Sequence, residues 1–246
     1  MKGDQGSGSR FYRWLSERVD LTATLGWLAS VTGAIYGGLD SRLELKDALR
    51  KALAKPVPRH INWLFCFGGI TFLLFLIQVV TGILLTLYYR PTPEGAYESV
   101  RHISNEVALG WLIRGLHHWA ANALIFMVLL HMFRVFYYGA YRHPRELNWM
   151  VGVCLLMVAM AFGFTGYLLP WTQLSYWASN VGTELANAVP VVGGPALAVM
   201  RGGPVITGET LTRFYAAHVI ILPAITVFLL AAHFGMIRRQ GISGPL

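Results

Sequence analysis

The chain has 246 residues, of which 55% are hydrophobic and only 13% are charged, whereas soluble domains carry about 25% charged residues. This composition excludes an ordinary soluble domain and predicts an integral membrane protein. The formal net charge of +8 could suggest a nucleic-acid partner, but long apolar runs separate the basic residues, which argues against nucleic acid.

The first 60 residues are expected to form a cytoplasmic or interfacial segment. Between residues 9 and 19, aromatic and aliphatic residues alternate with arginines, which predicts a helix lying on the membrane surface. A partly ordered tail is the alternative. A second surface helix is predicted at 45–53. The apolar stretch at 25–35 is short and broken by glycines, so we expect no secretory signal there.

Residues 61–246 contain four apolar segments long enough to cross about 30 Å of hydrocarbon as helices. They lie at 63–88, 107–133, 147–169 and 214–237, and are named here the first to fourth spans. The predicted fold is therefore an all-α integral membrane protein. It consists of a four-helix transmembrane bundle at 61–246, preceded by an interfacial helix within 1–60.

The basic residues predict how the spans are oriented. Most of the 20 Lys and Arg residues lie before the first span, between the second and third spans, or after the fourth. By the positive-inside rule, both termini and the second loop face the cytoplasmic, negative side. The third loop, about 40 residues long, exceeds a plain turn. Apolar residues recur there at near-helical spacing (Trp177, Val181, Leu185 and Val189), so short interfacial helices are expected.

Five of the eight histidines lie inside the predicted spans, where ionisable groups are costly and usually functional. His117 and His131 are 14 residues apart on the second span, and His218 and His233 are 15 apart on the fourth. Each separation is close to four helical turns, so each pair lies near one helix face with a rise of about 21 Å. His117 is therefore level with His218, and His131 with His233.

Two facing imidazoles at each level could clamp a flat iron macrocycle, and a bundle core is a natural place for such a group. Filling both axial positions suits electron transfer. We therefore predict two haems of the b type, bound at the iron by these four histidines. Ordinary helix–helix contacts are the alternative. His118 could replace His117 as a ligand, but the face match favours His117 and leaves His118 a supporting role.

Small residues line the first and third spans and would make room for porphyrin faces, although plain helix packing is the alternative. They are Gly68, Gly69, Gly82, Gly152, Gly163 and Gly166. Arg114 and Arg134 each lie three residues from a predicted ligand and could pair with haem propionates. An interfacial anchor is the other possible role of each arginine.

Several stretches of the chain match one known family, and together they cover about residues 55–246. They are CFGGIT at 66–71, QVVTG at 78–82, YYRPT at 88–92, LHMFRV at 130–135, PREL at 144–147, FTGYLLPW at 164–171, LTRFY at 211–215, His218 and IRRQGISGPL at 237–246. In this combination the chain resembles the cytochrome b family, and specifically the short cytochrome b6 type found in quinol:electron-acceptor oxidoreductases.

This resemblance implies that His117 and His218 bind the outer haem, and that His131 and His233 bind the inner one. It also implies that Cys66 binds a third haem, of the c type, through one thioether. From the residues alone, without a C-x-x-C-H sequence, Cys66 would be a buried structural cysteine. Cys154 has no family match and is expected in the core. Arg238 joins the arginines that support haem propionates.

The activity implied by the resemblance is bifurcated quinol oxidation. One electron would pass to a Rieske iron–sulfur protein and on to a c-type cytochrome, and the other across the two b haems to quinone on the cytoplasmic side. The implied partners are a separate helical subunit of the subunit IV type, a second copy in a dimeric complex, and a quinone. Menaquinone is preferred and plastoquinone is possible. The implied membrane is a bacterial cytoplasmic or thylakoid-type membrane.

The sequence departs from the family in two places. The stretch before Lys55 is longer than expected, and Arg50 and Lys51 stand where b6-type chains tend to have acids, so that Asp47 is the nearest acid. Two other function classes remain as alternatives. One is a di-haem membrane anchor of a hydrogenase or dehydrogenase, and the other is a transporter or structural membrane protein without haem.

Overall fold

The computed structural model describes residues 61–243 and, before them, Asp47 alone. The surface helices predicted at 9–19 and 45–53 therefore lie outside the described residues, apart from Asp47. The same is true of the boundary between residues 60 and 61 and of the last three residues. Over residues 61–243 every regular element is helical, which confirms the predicted all-α class.

The helices begin after a short 3-10 turn at Trp63–Cys66. In chain order they are α1 (Phe67–Thr86), α2 (Ala96–Asn105), α3 (Gly110–Tyr137), α4 (Glu146–Leu168), α5 (Gln173–Asn187), α6 (Gly193–Arg201), α7 (Gly208–Ala216) and α8 (Leu222–Gln240). A π-helical turn, Ala217–Ile221, joins α7 to α8 without a break.

Four helical stretches are long and apolar enough to cross a membrane, as predicted. They are Trp63–Thr86, Gly110–Tyr137, Glu146–Leu168 and Gly208–Gln240. The largest difference is at the fourth span, which begins six residues before the predicted Phe214. Thr207 closes a capping box with Thr210 there, so the helix starts in a polar segment that an apolar window overlooks.

The four spans pack in chain order. α1 packs along α3, α3 packs against α4, and α4 packs along α8, while the rings of Phe72 and Phe234 meet at 5.1 Å between α1 and α8. The backbones of α3 and α8, which carry the histidine pairs, do not pack closely against each other. A cleft therefore separates the two histidine helices.

Tyr89 joins the ends of the first and third spans at one end of the bundle. Its hydroxyl donates a hydrogen bond to the carbonyl of Leu169 at 2.6 Å, and its ring lies 5.3 Å from that of Tyr215. Burial, with a smaller contribution from Tyr215, raises the pKa of the Tyr89 phenol. The phenol therefore stays protonated and remains a hydrogen-bond donor at any physiological pH.

The third loop contains two of the helices, α5 and α6, as its apolar spacing predicted. Ser175, Ser179 and Thr183 are buried on α5, whereas Trp177 and Leu185 are exposed. A surface helix of a water-soluble protein has the opposite pattern, with apolar residues buried and polar residues exposed. The outer face of α5 is therefore suited to lipid or to another subunit.

The buried face of α5 surrounds Arg201, which is only 3% exposed. All five N–H donors of its guanidinium are used. Nε donates to Thr183, Nη1 to Glu184 and the carbonyl of Pro204, and Nη2 to the side-chain and backbone oxygens of Asn180. Arg201 therefore holds α5, α6 and the approach to α7 together.

Replacing Arg201 with Gln is expected to destabilise the protein by about 3 kcal/mol, because breaking a buried charged network leaves several polar groups unpaired. Glu184 is half exposed, so Glu184→Gln is the matched control and should cost about 1 kcal/mol or less. Thermal unfolding of the two variants checks the difference. Equal losses would show that the ion pair, and not the hydrogen-bond network, stabilises the loop.

Candidate haem site

His117 on α3 and His218 in the π turn face each other across the cleft. Their ring centres lie 6.3 Å apart and their planes are inclined at 68°. An imidazole nitrogen binds a transition metal at about 2 Å, so two imidazoles on opposite sides of one ion have ring centres roughly 6 Å apart. The observed separation therefore has room for one metal ion between two ring nitrogens.

The π turn explains why the fourth span spaces its histidines by 15 residues and not 14. Pro223 has no N–H to donate to the carbonyl of Val219, four residues earlier. The helix widens there into the turn Ala217–Ile221, which accommodates one extra residue. As a result His218 and His233 both lie against the third span, although a regular helix would turn them apart by about 60°.

Four glycines each lie against one of the four histidine rings. The distances from an ideal Cβ on the glycine to the ring Cε1 are 3.3 Å for Gly82 and His117, 2.7 Å for Gly166 and His218, 3.0 Å for Gly68 and His131, and 3.7 Å for Gly152 and His233. A contact under about 3.4 Å is tighter than almost all real Cβ contacts. Gly68, Gly82 and Gly166 therefore make room for the imidazole rings themselves, whereas a Cβ on Gly152 would be in ordinary contact with His233.

The other two predicted glycines have different surroundings. A Cβ on Gly69 would meet nothing within 4 Å, and one on Gly163 would lie 3.1 Å from Cδ1 of Ile125. Gly163 thus fits ordinary helix packing, which was the alternative. A porphyrin-facing role for either glycine stays a prediction.

Two threonines contact the rings of His117 and His218, and histidine spacing alone does not indicate them. Oγ1 of Thr81 lies 2.8 Å from Nδ1 of His117, and Oγ1 of Thr165 lies 2.9 Å from Nδ1 of His218. The amide of Gln78 also donates to the backbone carbonyl of His117 at 2.8 Å. The available signal was the dipeptide Thr-Gly, which occurs in both the QVVTG and FTGYLLPW stretches.

The second level is formed by His131, whose ring lies next to Gly68, and His233, whose ring lies next to Gly152. Nδ1 of His233 is buried beside the backbone of Asn148, and no described side chain forms a hydrogen bond with it. This level therefore has the same glycine contacts as the first but lacks its threonine hydroxyls.

The neighbouring His118 points away from the cleft. It is exposed, and its ring lies 5.6 Å from that of Trp119. Of the two adjacent histidines, His117 is thus the one placed opposite His218. A supporting role for His118 toward a haem stays a prediction.

Among the predicted propionate partners, Arg134 stands apart from Arg114 and Arg238. Its Nε and Nη2 are buried without hydrogen-bond acceptors, and its guanidinium lies 3.4 Å from the ring centre of Phe65. Arg114 and Arg238 are exposed. Shielded donors without acceptors are costly, so the partly buried Arg134 is ready for an anionic partner.

Both cysteines are free thiols and are exposed in the chain as it stands. Cys66 is the residue immediately before α1, two positions from Gly68, which contacts His131. It therefore lies at the His131 end of the first span. Cys154 was expected in the core, but it is exposed in the middle of α4. It therefore lies on the apolar surface that a membrane span presents to lipid.

The residues present fit a haem at each level. The facing rings of His117 and His218 would hold an iron from two sides, His131 and His233 would do the same at the second level, and Arg134 offers unused donors to a carboxylate. Over the described residues, no three His, Cys, Asp or Glu side chains converge to hold a metal ion by themselves. Paired ligands of this kind are what a macrocyclic iron centre requires, since the ring supplies the remaining ligands.

Comparisons with known proteins identify the family of the chain. The family model described as cytochrome b/b6/petB matches residues 52–241. The chain is 56% identical over 192 residues to the cytochrome b6 of Heliobacterium mobile, with 78% of this chain and 90% of the relative covered. It is 48% identical over 220 residues to the menaquinol:cytochrome c reductase cytochrome b subunit of Geobacillus thermodenitrificans, with 86% and 98% covered.

A solved structure gives the same answer for the fold. A chain of a hyperthermophilic respiratory Complex III superposes with a TM-score of 0.76 at 37% identity. The match covers 85% of this chain and 56% of that chain, so this chain spans little more than half the length of its structural relative.

Proposed function

Because this chain belongs to the cytochrome b/b6 family, we propose that it binds one b haem at each histidine level and conducts electrons across the membrane. It acts as a cytochrome b6-type, multi-pass subunit of a quinol:cytochrome c oxidoreductase complex. Bound at both axial positions, each haem supplies reversible one-electron transfer and no site for oxygen or substrate.

The observation that carries the proposal is the pair of imidazoles at His117 and His218, set 6.3 Å apart and fitted against glycines on the neighbouring spans. His131 and His233, whose rings lie next to Gly68 and Gly152, are proposed to form the second pair one level away. A rise of about 21 Å along the second span separates the two levels. Two such sites give electrons a path between the membrane surfaces that one site alone would not provide.

Arg134 is proposed to bind a propionate at the His131–His233 level, since its two unused donors match a carboxylate bidentately. Arg114 is proposed to do the same at the other level, with Arg238 and His118 in support. The His117–His218 level is proposed to lie toward the outer side and the His131–His233 level toward the inner side, as the resemblance to the cytochrome b family implies. Both termini would then lie on the cytoplasmic, negative side.

The reaction proposed for the complex is a quinol cycle. Quinol is oxidised at the outer side, where one electron goes to a Rieske protein and then to a c-type cytochrome. The second electron crosses this chain and reduces quinone at the inner side, with proton release outside and uptake inside. A relative carries menaquinol in its name, which supports menaquinone over plastoquinone. A separate subunit IV-type partner is proposed to complete the outer site in a dimeric complex.

The test is the visible spectrum of the complex purified with its partner subunits. Reduction with dithionite should give a b-type α-band equivalent to two haems per copy of this chain, and a quinol should reduce both. A complex that contains the chain but shows no b-type absorption would end the proposal, and so would one haem per chain.

Cys66 is proposed to hold a c-type haem through one thioether at the inner side. Changing Cys66 to Ala should abolish haem staining of this chain after denaturing electrophoresis, because only a covalent link survives denaturation. Cys154→Ala removes the other free thiol and is the matched control, with staining expected to persist. Staining that survives in Cys66→Ala, or that is absent from the unmodified chain, would contradict the covalent assignment.

A further inference from the structure

We infer that Arg145 and Gln240 are positioning residues that lock the register of α4 against α8 and thereby fix the orientation of the His233 ring. The two side chains form a reciprocal clamp between the start of one helix and the end of the other. The inference rests on the proposed haem-binding function, since the orientation of His233 affects electron transfer only if the ring binds iron.

The clamp consists of hydrogen bonds donated in both directions. Nε2 of Gln240 donates to the backbone carbonyl of Pro144 at 2.8 Å. Nη2 of Arg145 donates to the backbone carbonyl of Gln240 at 3.3 Å and to that of Ile242 at 3.4 Å. Carbonyls at the end of a helix have no partner within the helix, and a cation near them is favourable. The two residues therefore join α4 to α8 at the His131–His233 end of the bundle.

The clamp lies in the same register as the contacts of the His233 ring. Seven residues separate Arg145 from Gly152 on α4, and seven separate His233 from Gln240 on α8. The two helices run in opposite directions, so Arg145 is level with Gln240 when Gly152 is level with His233. Seven residues are about two helical turns, so the clamp and the ring contact also lie on the same faces of the two helices.

The first turn of α4 contacts the ring of His233 directly. Asn148, three residues after Arg145, forms a hydrogen bond through its backbone with this ring. A slip of one residue would shift the two helices by about 1.5 Å, which is enough to break that bond. A hydrogen bond behind a metal-binding histidine fixes the orientation of the ring. The clamp therefore acts on the predicted ligand through Asn148.

The ring of His218, at the other level, is far from the clamp. His218 lies 22 residues from Gln240, and Oγ1 of Thr165 contacts its ring separately at 2.9 Å. Loss of the clamp should therefore disturb the His233 ring and leave the His218 ring in place. This local effect distinguishes a positioning role from a general loss of stability.

The experiment is EPR spectroscopy of the oxidised, intact complex carrying Arg145→Gln or Gln240→Met. The low-spin signal of a ferric haem with two imidazole ligands depends on the angle between the two ring planes, so the signal reports ligand orientation and not activity. The signal of the haem that His131→Ala removes should shift in both variants. The signal of the other haem should stay unchanged.

Arg142→Gln and Arg239→Gln are the matched controls, because they remove exposed arginines beside the clamp that take no part in its hydrogen bonds. Arg201→Gln, which is expected to destabilise the third loop at the other end of the bundle, controls for lost stability. All three should keep both signals unchanged. Unchanged signals in both clamp variants, or an equal shift in a control, would overturn the inference. The proposed function would still stand as long as the unmodified complex holds two b haems.

Haem content keeps the test decisive if a clamp variant assembles poorly. Loss of the haem at the His131–His233 level alone would support the inference, whereas loss of both haems would show a general structural role and overturn it. Arg145→Lys keeps a cation that can donate to the carbonyl of Gln240, so its signal should stay closer to that of the unmodified complex than the signal of Arg145→Gln. An equal change in the lysine and glutamine variants would overturn the clamp.

Discussion

Replacing His218 with Ala in the complete complex is expected to reduce the b-haem content from two per chain to one and to abolish quinol-driven electron transfer across the membrane. The π turn places this ring 6.3 Å from that of His117, and no other described histidine lies opposite His117. One axial imidazole leaves the iron with an open position and a weaker hold on the protein. Haem quantification and flash- or quinol-induced reduction kinetics measure the two effects.

His118→Ala is the matched control, because it removes a histidine from the same stretch of the bundle that faces away from the cleft. Both haems should remain, because His118 is proposed to support a propionate and not to bind the iron. Loss of a haem in this control, together with retention in the His218 variant, would reverse the assignment of the ligands. His131→Ala should remove the second haem and leave the first.

The second large effect is expected from adding a single methyl group at Gly166. A Cβ there would lie 2.7 Å from Cε1 of His218, so the ring must shift away from the position that faces His117. Overpacking of this kind costs about 1–3 kcal/mol, which corresponds to a haem affinity roughly 5-fold to 150-fold lower. Gly166→Ala should therefore release the haem of that level during purification and leave the second in place.

Gly69→Ala offers a direct comparison, since it adds the same methyl group where nothing lies within 4 Å. Its haem content should equal that of the unmodified complex. Titration of each variant with added haem would show whether Gly166→Ala has lost affinity or has failed to fold. Full occupancy of both levels in Gly166→Ala would mean that the ring is not held against the glycine in the loaded protein.

Much of the architecture could be predicted because membranes simplify the signals in a sequence. Apolar runs located all four spans to within a few residues, except where the polar segment after Thr207 extends the fourth helix. The matched spacing of the histidines predicted two levels, and the structure brings His117 and His218 together as expected. The assignment of all four histidines to haem iron stays a prediction of the proposed function.

The details of the site depended on contacts between spans, which periodicity does not reveal. Spacing alone suggested that the glycines make room for a porphyrin, whereas four of the six contact imidazoles. The hydroxyls of Thr81 and Thr165 were passed over because threonine inside an apolar helix normally bonds back to its own backbone. Both do so, and the bond to histidine is an additional one.

The open cleft between α3 and α8 has a consequence for biogenesis. The two halves of the bundle, α1 with α3 and α4 with α8, meet where α3 packs against α4 and where Phe72 contacts Phe234. On the proposed function, iron porphyrin fills the remaining space between them. A newly inserted chain would then be a pair of loosely associated hairpins until its cofactors arrive. Chains that do not receive haem would then be degraded by membrane proteases, so the supply of haem would determine how much of the protein accumulates.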